Sequence, residues 1–300
     1  MNLKQLEAFV EVTDNGSFSK AAKKLFLTQP TISAHIASLE KELKVRLFVR
    51  NTKEVNLSKD GEILYQYAKN MVDMEKKIKQ IFISEEEDEH GCVNIATSSV
   101  PAQYLLPDIL SKYTEKYPNQ SFKVTETDSG QVVDRVVHQM ADVGFTGTIL
   151  DKKDCKYISI YQDELVIAMP NTPKYQKLKE EESSVSWIVN EPLIIRENGS
   201  GTRKEAERQL QKVGIDSNSL NVVANIENPE VIKRSVKNGL GITIISKLAI
   251  QNEVESHSLL YFPLSTKNMK RNLYLVYNKN SHLSKSSERF VRLVREVYHC

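Results

Sequence analysis

Residues 17–43 read SFSKAAKKLFLTQPTISAHIASLEKEL, and the punctuation of this stretch decides how the first part of the chain folds. Asp14-Asn15-Gly16, just upstream, is a helix stop, with Gly16 suited to a left-handed cap. Ser17 is an N-cap residue. Residues 18–25 then form a short helix in which Ala21 and Ala22 let a second helix cross closely. Phe26-Leu27 is the turn. Thr28 caps the next helix, and Pro30 falls in its first turn, where a missing N–H costs nothing. That helix runs to about Leu43, and its spacing predicts burial of Ile32, Ile36, Leu39 and Leu43. Upstream, Leu3, Leu6, Phe9, Val10 and Val12 fall mostly on one face of another helix. Two short helices, a tight turn and a third helix with one apolar face describe a helix-turn-helix.

The face of the third helix opposite Ile32 and Ile36 carries Gln29, Thr31, Ser33, Ala34 and His35. These are short polar groups near a helix N-terminus, able to reach base edges or phosphates. A solvated face on an ordinary three-helix bundle would look the same, and spacing alone leaves both readings open. Residues 45–57, VRLFVRNTKEVNL, then read as a small β-hairpin whose polar tip holds Arg50, Asn51, Thr52 and Lys53. Such a hairpin is a wing, and Arg50 and Lys53 are placed to touch phosphate or enter a minor groove.

From Ser58 a long helix begins, with no proline until Pro101. Leu64, Tyr67, Met71, Met74, Ile78 and Ile81 recur at alternating spacings of three and four, an a/d seam over about three heptads. A rod of this kind has no core of its own. It implies either a partner helix, hence a dimer, or packing on its own domain. The acidic run at residues 84–89 closes it as a solvated hinge.

Beyond Cys92 the pattern changes to strands alternating with helices. Strands are predicted at residues 93–97, 122–127, 143–146, 165–169, 193–195, 222–224, 242–245 and 273–277. Helices are predicted at 101–117, 132–140, 203–213, 229–238 and 285–298. That order argues α/β layers.

Bulk properties narrow the function. The 300 residues are enough for two or three domains, and the composition is that of a globular protein. No run of 18 apolar residues and no signal-peptide core appears, so a cytoplasmic location and no membrane partner are expected. Net charge is +2, and residues 1–60 carry ten basic and seven acidic side chains, so the excess lies in the head. Cys92, Cys155 and Cys300 are far apart and the six histidines are scattered, which gives no disulfide framework and no metal-ligand spacing.

The residues of the head resemble one family closely. LKQLEAFVEVTDNGSFSKAAKKLFLTQPTISAHIASLEKELKVRLFVR, continuing to VNLSKDG, looks like the DNA-binding head of the LysR-type transcriptional regulators. The likeness rests on Phe9, Gly16-Ser17-Phe18, Ala21-Ala22, Gln29-Pro30, Ser33, Leu39-Glu40, Leu43, Leu47-Phe48, Arg50, Leu57 and Gly61. The chain length, linker helix and α/β remainder extend it less tightly.

The resemblance implies an α+β multi-domain chain: a winged helix-turn-helix at 1–58, a linker and dimerisation helix with hinge at 59–90, and a two-lobed, periplasmic-binding-protein-like α/β effector domain at 91–300. Lobe I would be 91–162 with 267–300, and lobe II 163–266, with residues 163–170 and 271–277 crossing between them. It implies a homodimer or homotetramer on double-stranded promoter DNA, switched by a small molecule. Ser17, Gln29, Pro30, Thr31, Ser33, His35, Arg50 and Lys53 would face the DNA.

The ligand cleft has its own physical signature. Thr97-Ser98-Ser99 ends a strand and opens a helix, and Gly199-Ser200-Gly201-Thr202 opens another. Free helix N-terminal amides with hydroxyls suit an anion, although both stretches read equally well as plain helix caps. The GK[ST] ending of a Walker loop is missing. In the family these positions flank the cleft between the lobes. The effector-binding residues are thus expected to be Ser98, Ser99, Ser129, Thr146, Thr148, Ser200 and Thr202, with Arg196 and Arg203 as possible sources of positive charge. The RENGSGTR stretch resembles the branch of the family that handles sulfur-containing or other anionic metabolites.

Other classes fit worse. An enzyme would need a catalytic motif, and there is no G-x-S-x-G elbow, no H-E-x-x-H and no paired carboxylates, so no catalytic residue and no cofactor is assigned. A solute-binding protein would carry a signal peptide and no helix-turn-helix. A redox switch on Cys92 and Cys155 stays open, since Lys152, Lys153 and Lys156 lie near Cys155.

Overall fold

The computed structural model describes residues 1–49, 55–82, 91–150, 153–181, 184–264 and 269–300. The chain divides into two compact units, residues 1–83 and 84–300.

In the first unit α1 (Leu3–Asn15), α2 (Phe18–Lys24) and α3 (Gln29–Leu43) form the expected helix-turn-helix. Each boundary has a local cause. Asn2 and Gln5 close a capping box at the start of α1, and Gly16 ends it with φ 59°. Ser17 accepts from Lys20 N, and Thr28 from Thr31 N. Leu6, Phe9, Val12, Ala21, Ala22, Ile32, Ile36 and Leu39 form one core. Leu43 departs from the spacing argument. It is 37% exposed because α3 ends there, with Lys44 in the left-handed conformation. Strands β1 (Phe48–Val49) and β2 (Asn56–Leu57) pair antiparallel as the base of the wing. Its tip, with the expected contacts Arg50 and Lys53, lies outside the described residues.

The long helix α4 (Lys59–Ile81) starts on Ser58, whose hydroxyl accepts from Gly61 N at 3.0 Å. Gly61 is required there: a Cβ would sit 2.1 Å from the Leu47 carbonyl oxygen. The predicted seam divides between two faces. Ala68 and Val72 are buried with Leu64 and Tyr65 against the α1–α3 core. Asp14 joins the same contact, hydrogen-bonded by Tyr65 and Lys69. Ile63, Tyr67, Met71 and Ile78 are exposed, at 61%, 66%, 45% and 51%, and Met74 is half-buried. Of the predicted seam residues, Leu64 thus packs on its own domain, while Tyr67, Met71 and Ile78 face away from it. Ile81's side chain and the acidic run at 84–89 lie outside the described residues.

The second unit is built on one continuous nine-stranded sheet, in the order β4-β3-β5-β11-β6-β9-β7-β8, with β10 beside β6. One lobe contains β3 (Cys92–Thr97), α5 (Ser99–Tyr104), α6 (Leu106–Lys116), β4 (Ser121–Glu126), α7 (Ser129–Val137) and β5 (Val143–Thr146). Its three strands are parallel. Strand β6 (Cys155–Pro170) carries the chain across to the other lobe, where α8 (Pro173–Glu181), β7 (Leu193–Ile195), α9 (Gly201–Lys212), β8 (Val222–Asn225), α10 (Pro229–Lys237), β9 (Ile242–Ser246), α11 (Gln251–Glu255) and β10 (Leu259–Pro263) follow. Here β7 runs parallel to both β8 and β9. Strand β11 (Lys270–Asn278) returns, pairing antiparallel along β6 from Lys270 opposite Glu164 to Asn278 opposite Cys155. Helix α12 (Lys285–Tyr298) then packs on the first lobe through Phe290 and Val294.

Side-chain alternation along β6 feeds both faces of the second lobe. Leu165, Ile167 and Met169 join the cluster around Trp187 and Leu210, while Val166 and Ala168 join the one around Ile232 and Val236. Two sequence expectations change. The helix predicted at 101–117 is two helices meeting at Leu105, because Pro107 cannot donate into a continuous ladder. The strand predicted at 165–169 is the second half of a 16-residue strand. No described helix is long and apolar enough to cross a membrane.

Candidate functional site

Strands β3, β4 and β7 each end in a helix N-terminus, and the three termini meet at one cleft between the lobes. Residues of α5 (Ser98, Ser99, Val100, Pro101), of α7 (Thr127, Asp128, Ser129) and of α9 (Ser200, Gly201, Thr202) line it, with Gly147, Arg196, Glu197 and Arg271. Aligned peptide dipoles give each helix start a partial positive charge of about half a unit. The cleft holds about 280 Å³ of space between atoms, of which about 10 Å³ admits the centre of a water molecule. That is roughly the room one water needs.

The three helix starts differ in what already occupies them. Asp128 caps α7, its Oδ1 accepting from Gly130 N at 2.8 Å and Gln131 N at 3.0 Å. Ser200 caps α9 and accepts from Arg203 N at 3.3 Å. At α5 the cap residue Ser98 makes no side-chain hydrogen bond to its helix. The glycines allow the lobes to approach. A Cβ at Gly199 would lie 2.6 Å from Asp128 Cγ, and one at Gly201 would lie 2.7 Å from Ser129 Oγ.

Two arginines reach the cleft. Arg196, 8% exposed, donates from Nη2 to Ser99 Oγ across it at 3.2 Å. Its charge is matched by Glu197, which accepts from Nε and Nη2 at 2.7 Å each. Arg271, 5% exposed, faces Asp163, 2% exposed, across the β6–β11 ladder. Nε donates to Asp163 Oδ2 at 2.7 Å, and Nη1 donates to Thr202 Oγ1 at 3.1 Å. Asp163 Oδ1 accepts from Ser246 Oγ at 2.7 Å. The field of Arg271 extends to Glu205 on α9. Burial pushes that carboxyl up, but hydrogen bonds from Arg208 and Gln209, with the charges of Arg208 and Arg271, hold it below the usual range.

Of the effector residues expected from sequence, Ser98, Ser99, Ser129, Ser200 and Thr202 come together in this cleft. Thr146 and Thr148 are not among its lining residues. Thr146 Oγ1 donates instead to the Thr148 carbonyl at 3.2 Å, and Thr148 Oγ1 points to the Ile149 carbonyl at 3.5 Å. Arg203 turns away to Glu207, at 2.8 Å, and to the Arg196 carbonyl. Sequence reading missed Arg271 and Asp163 as site residues. The signal available was an arginine and an aspartate in two strands assigned as lobe crossings, where a buried charge needs a partner.

In the head, Gln29 and Pro30 are exposed, while Thr31, Ser33 and His35 are half-buried on the side of α3 away from Ile32 and Ile36. Gln29 Nε2 donates to Ser33 Oγ at 3.2 Å, and Thr31 shares a 2.8 Å hydrogen bond with Thr28. Ser17 is half-buried at the start of α2. Cys92 on β3 and Cys155 on β6 are separated in the sheet by β5 and β11. Three strand spacings of about 4.8 Å each put them well beyond the reach of a disulfide in this arrangement.

A helix-turn-helix head joined to a two-lobed α/β unit with a cleft between its lobes is the architecture of a DNA-binding transcriptional regulator with an effector-binding domain. The chain belongs to the LysR family of bacterial transcriptional regulators. Residues 3–62 match the bacterial regulatory helix-turn-helix of the lysR family, and residues 86–298 match the LysR substrate binding domain. Among curated relatives it is 30% identical over 291 residues to an uncharacterised HTH-type transcriptional regulator of Methanocaldococcus jannaschii, covering 97% of each chain. It is 28% identical to the HTH-type transcriptional regulator CysL of Bacillus subtilis, covering 98% of this chain and 96% of that one. Full-length CbnR in complex with its target DNA shares the fold, with a TM-score of 0.72 at 18% identity and 99% of each chain covered.

The close approach of Gly199 to Asp128 gives a direct test of lobe contact. Gly199→Ala wedges a methyl group against a side chain held by its own capping bonds. The expected result is faster hydrogen exchange at Gly130 and Gln131 with unchanged circular dichroism. Unchanged exchange at both amides would show that the cleft is not closed in solution.

Proposed function

We propose that this regulator binds a small anion between the lobes of its second unit and that the anion switches its action at a promoter. The observation that carries the reading is the meeting of three helix N-termini and six serine and threonine residues in one cleft. The same stretch, RENGSGTR, resembles the family branch that handles sulfur-containing or other anionic metabolites. The effector domain then spans 91–300, the head 1–58 and the linker 59–90, with Thr146 and Thr148 in supporting positions beside the cleft. A regulator acting on a bacterial promoter works in the cytoplasm.

In the head, Ser17, Gln29, Pro30, Thr31, Ser33 and His35 form the DNA-facing surface, with Arg50 and Lys53 of the wing on phosphate. Gln29 and Pro30, exposed at the start of α3, and the half-buried Ser17, Thr31, Ser33 and His35 leave their polar groups outside the core that takes Ile32 and Ile36, which supports the reading. The apolar stripe of Ile63, Tyr67, Met71 and Ile78 supports a homodimer or a tetramer built from dimers, since a lone helix leaves that stripe in water. Two-fold heads read an inverted repeat with half-sites about one helical turn apart or a multiple of it.

Three outcomes check these assignments. Losing one hydrogen bond to a charged ligand costs about 1.5–3 kcal/mol, so Thr202→Val is expected to weaken anion binding about tenfold or more. The variant folds, occupies its promoter and fails to respond. Calorimetry with candidate anions, paired with a promoter reporter, measures this. Unchanged affinity and response in both Thr202→Val and Ser99→Ala would remove the cleft assignment. Gln29→Ala and Ser33→Ala are expected to relax preference at individual bases by about 1–3 kcal/mol in gel-shift titrations. Retained site preference in both would move the reading face elsewhere. Met71→Asp is expected to dissociate the oligomer and abolish site-specific binding. An unchanged sedimentation coefficient with full DNA affinity would take α4 out of the interface.

A further inference from the structure

Among the described residues, two buried polar atoms in the cleft have no hydrogen-bond partner: Ser129 Oγ and Arg271 Nη2. Both residues are more than nine-tenths buried, at 2% and 5% exposure, and both line the cleft. Arg271 Nη2 lies 2.7 Å from Asp163 Oδ2, but that oxygen is already taken in line by Nε, and Nη2 has no acceptor aligned with its own N–H groups. A buried guanidinium N–H without an acceptor is costly, and a bound acceptor offsets the cost.

The acidic groups of the cleft leave that role open. Asp128 spends its oxygens on Gly130 N, Gln131 N and Gln131 Nε2. Glu197 spends both on Arg196. Asp163 spends its two on Ser246 and Arg271 Nε. Thr202 Oγ1 accepts from Arg271 Nη1, so its own proton is free to donate into the cleft.

We infer that Arg271, from the returning strand β11, is a direct ligand of the anion, donating from Nη2 beside Ser129 Oγ, and that the ligand is a compact oxyanion. The inference rests on the cleft reading above and adds to it a residue and a ligand class. Several convergent donors suit a group with three or four acceptor oxygens on one centre. The free space is about that of one water, so any ligand has to part the lobes, a compact oxyanion of sulfate, sulfite, phosphate or nitrate size least and an aromatic ring or a sugar far more. Placement on β11 gives the site a second property. Arg271 is paired with Asp163 on β6, so an oxyanion that takes up Nη2 bears directly on the two strands joining the lobes.

The test is calorimetry on the full-length protein with sodium sulfate, sulfite, phosphate and nitrate, and with benzoate as a bulky carboxylate. The wild type is expected to bind at least one of the four inorganic oxyanions and to bind benzoate more weakly. Arg271→Lys keeps a cation opposite Asp163 but removes the Nη2 donors, and is expected to weaken oxyanion binding at least tenfold. Ser129→Ala is expected to weaken it severalfold, and it decides the matter if Arg271→Lys does not fold. Oxyanion binding that is lost in Thr202→Val but unchanged in Arg271→Lys and Ser129→Ala overturns the role of Arg271 and leaves the anion cleft standing. Benzoate binding more tightly than every inorganic ion overturns the ligand class. No binding of any of the five anions, with an unaltered reporter response in Thr202→Val, overturns both this inference and the cleft reading.

Discussion

Strands β6 and β11 pair along nine residues, and this ladder is the constraint on which the second unit depends. The first lobe joins it where β5 pairs with β11, and the second joins where β9 and β10 pair with β6. Within the ladder lies a charged pair, Arg271 and Asp163, almost removed from water. Desolvating two charges costs several kcal/mol each, and the cost is offset only when the remaining donors and acceptors are also satisfied. Ser246 and Thr202 do part of that. Any change in the angle between the lobes has to be absorbed by these strands, so the pair sits where a hinge movement is felt.

The position of the cleft follows from strand direction. In each lobe three strands run parallel, so their carboxyl ends lie on the same edge, and the helices that follow begin there. Ligands of open α/β sheets bind outside those carboxyl ends for this reason. Charge balance then decides what kind of ligand fits. Arg196 is matched by Glu197 and Arg271 by Asp163, so on the proposed reading the attraction for an anion would come mainly from helix starts and hydrogen-bond donors. A site of this type discriminates through the geometry of its donors more than through net charge.

The head divides one helix between two tasks. The face of α4 carrying Ala68 and Val72 completes the helix-turn-helix core, and small residues there bring α4 close to α1. The face carrying Tyr67, Met71 and Ile78 contributes nothing to that core and stays exposed. The heptad seam picks out the second face and, of the first, only Leu64; Ala68 and Val72 fall outside it.

Local signals were enough to place most of the elements. Ser17, Thr28, Ser58 and Ser200 cap helices in the structure, and the sequence marks them through residue type and position alone. Residues 143–146, 193–195 and 285–298 fall where periodicity puts them. The helix-turn-helix and the family were readable because a short-range fold repeats its residue types at fixed spacings. Five hydroxyls of the cleft were readable for the same reason, as strand ends and helix starts. The length of β6 was not, since residues 155–164 are a strand only because β11 lies beside them. Nor was the burial of Arg271, which is set by a partner 108 positions away and by a threonine from the other lobe. Sequence by itself determined what each short segment can form, because helix, cap and strand preferences act over a few residues. Tertiary structure alone decided which charges lose their water and which donors converge, because desolvation depends on neighbours that the chain brings together only when it folds.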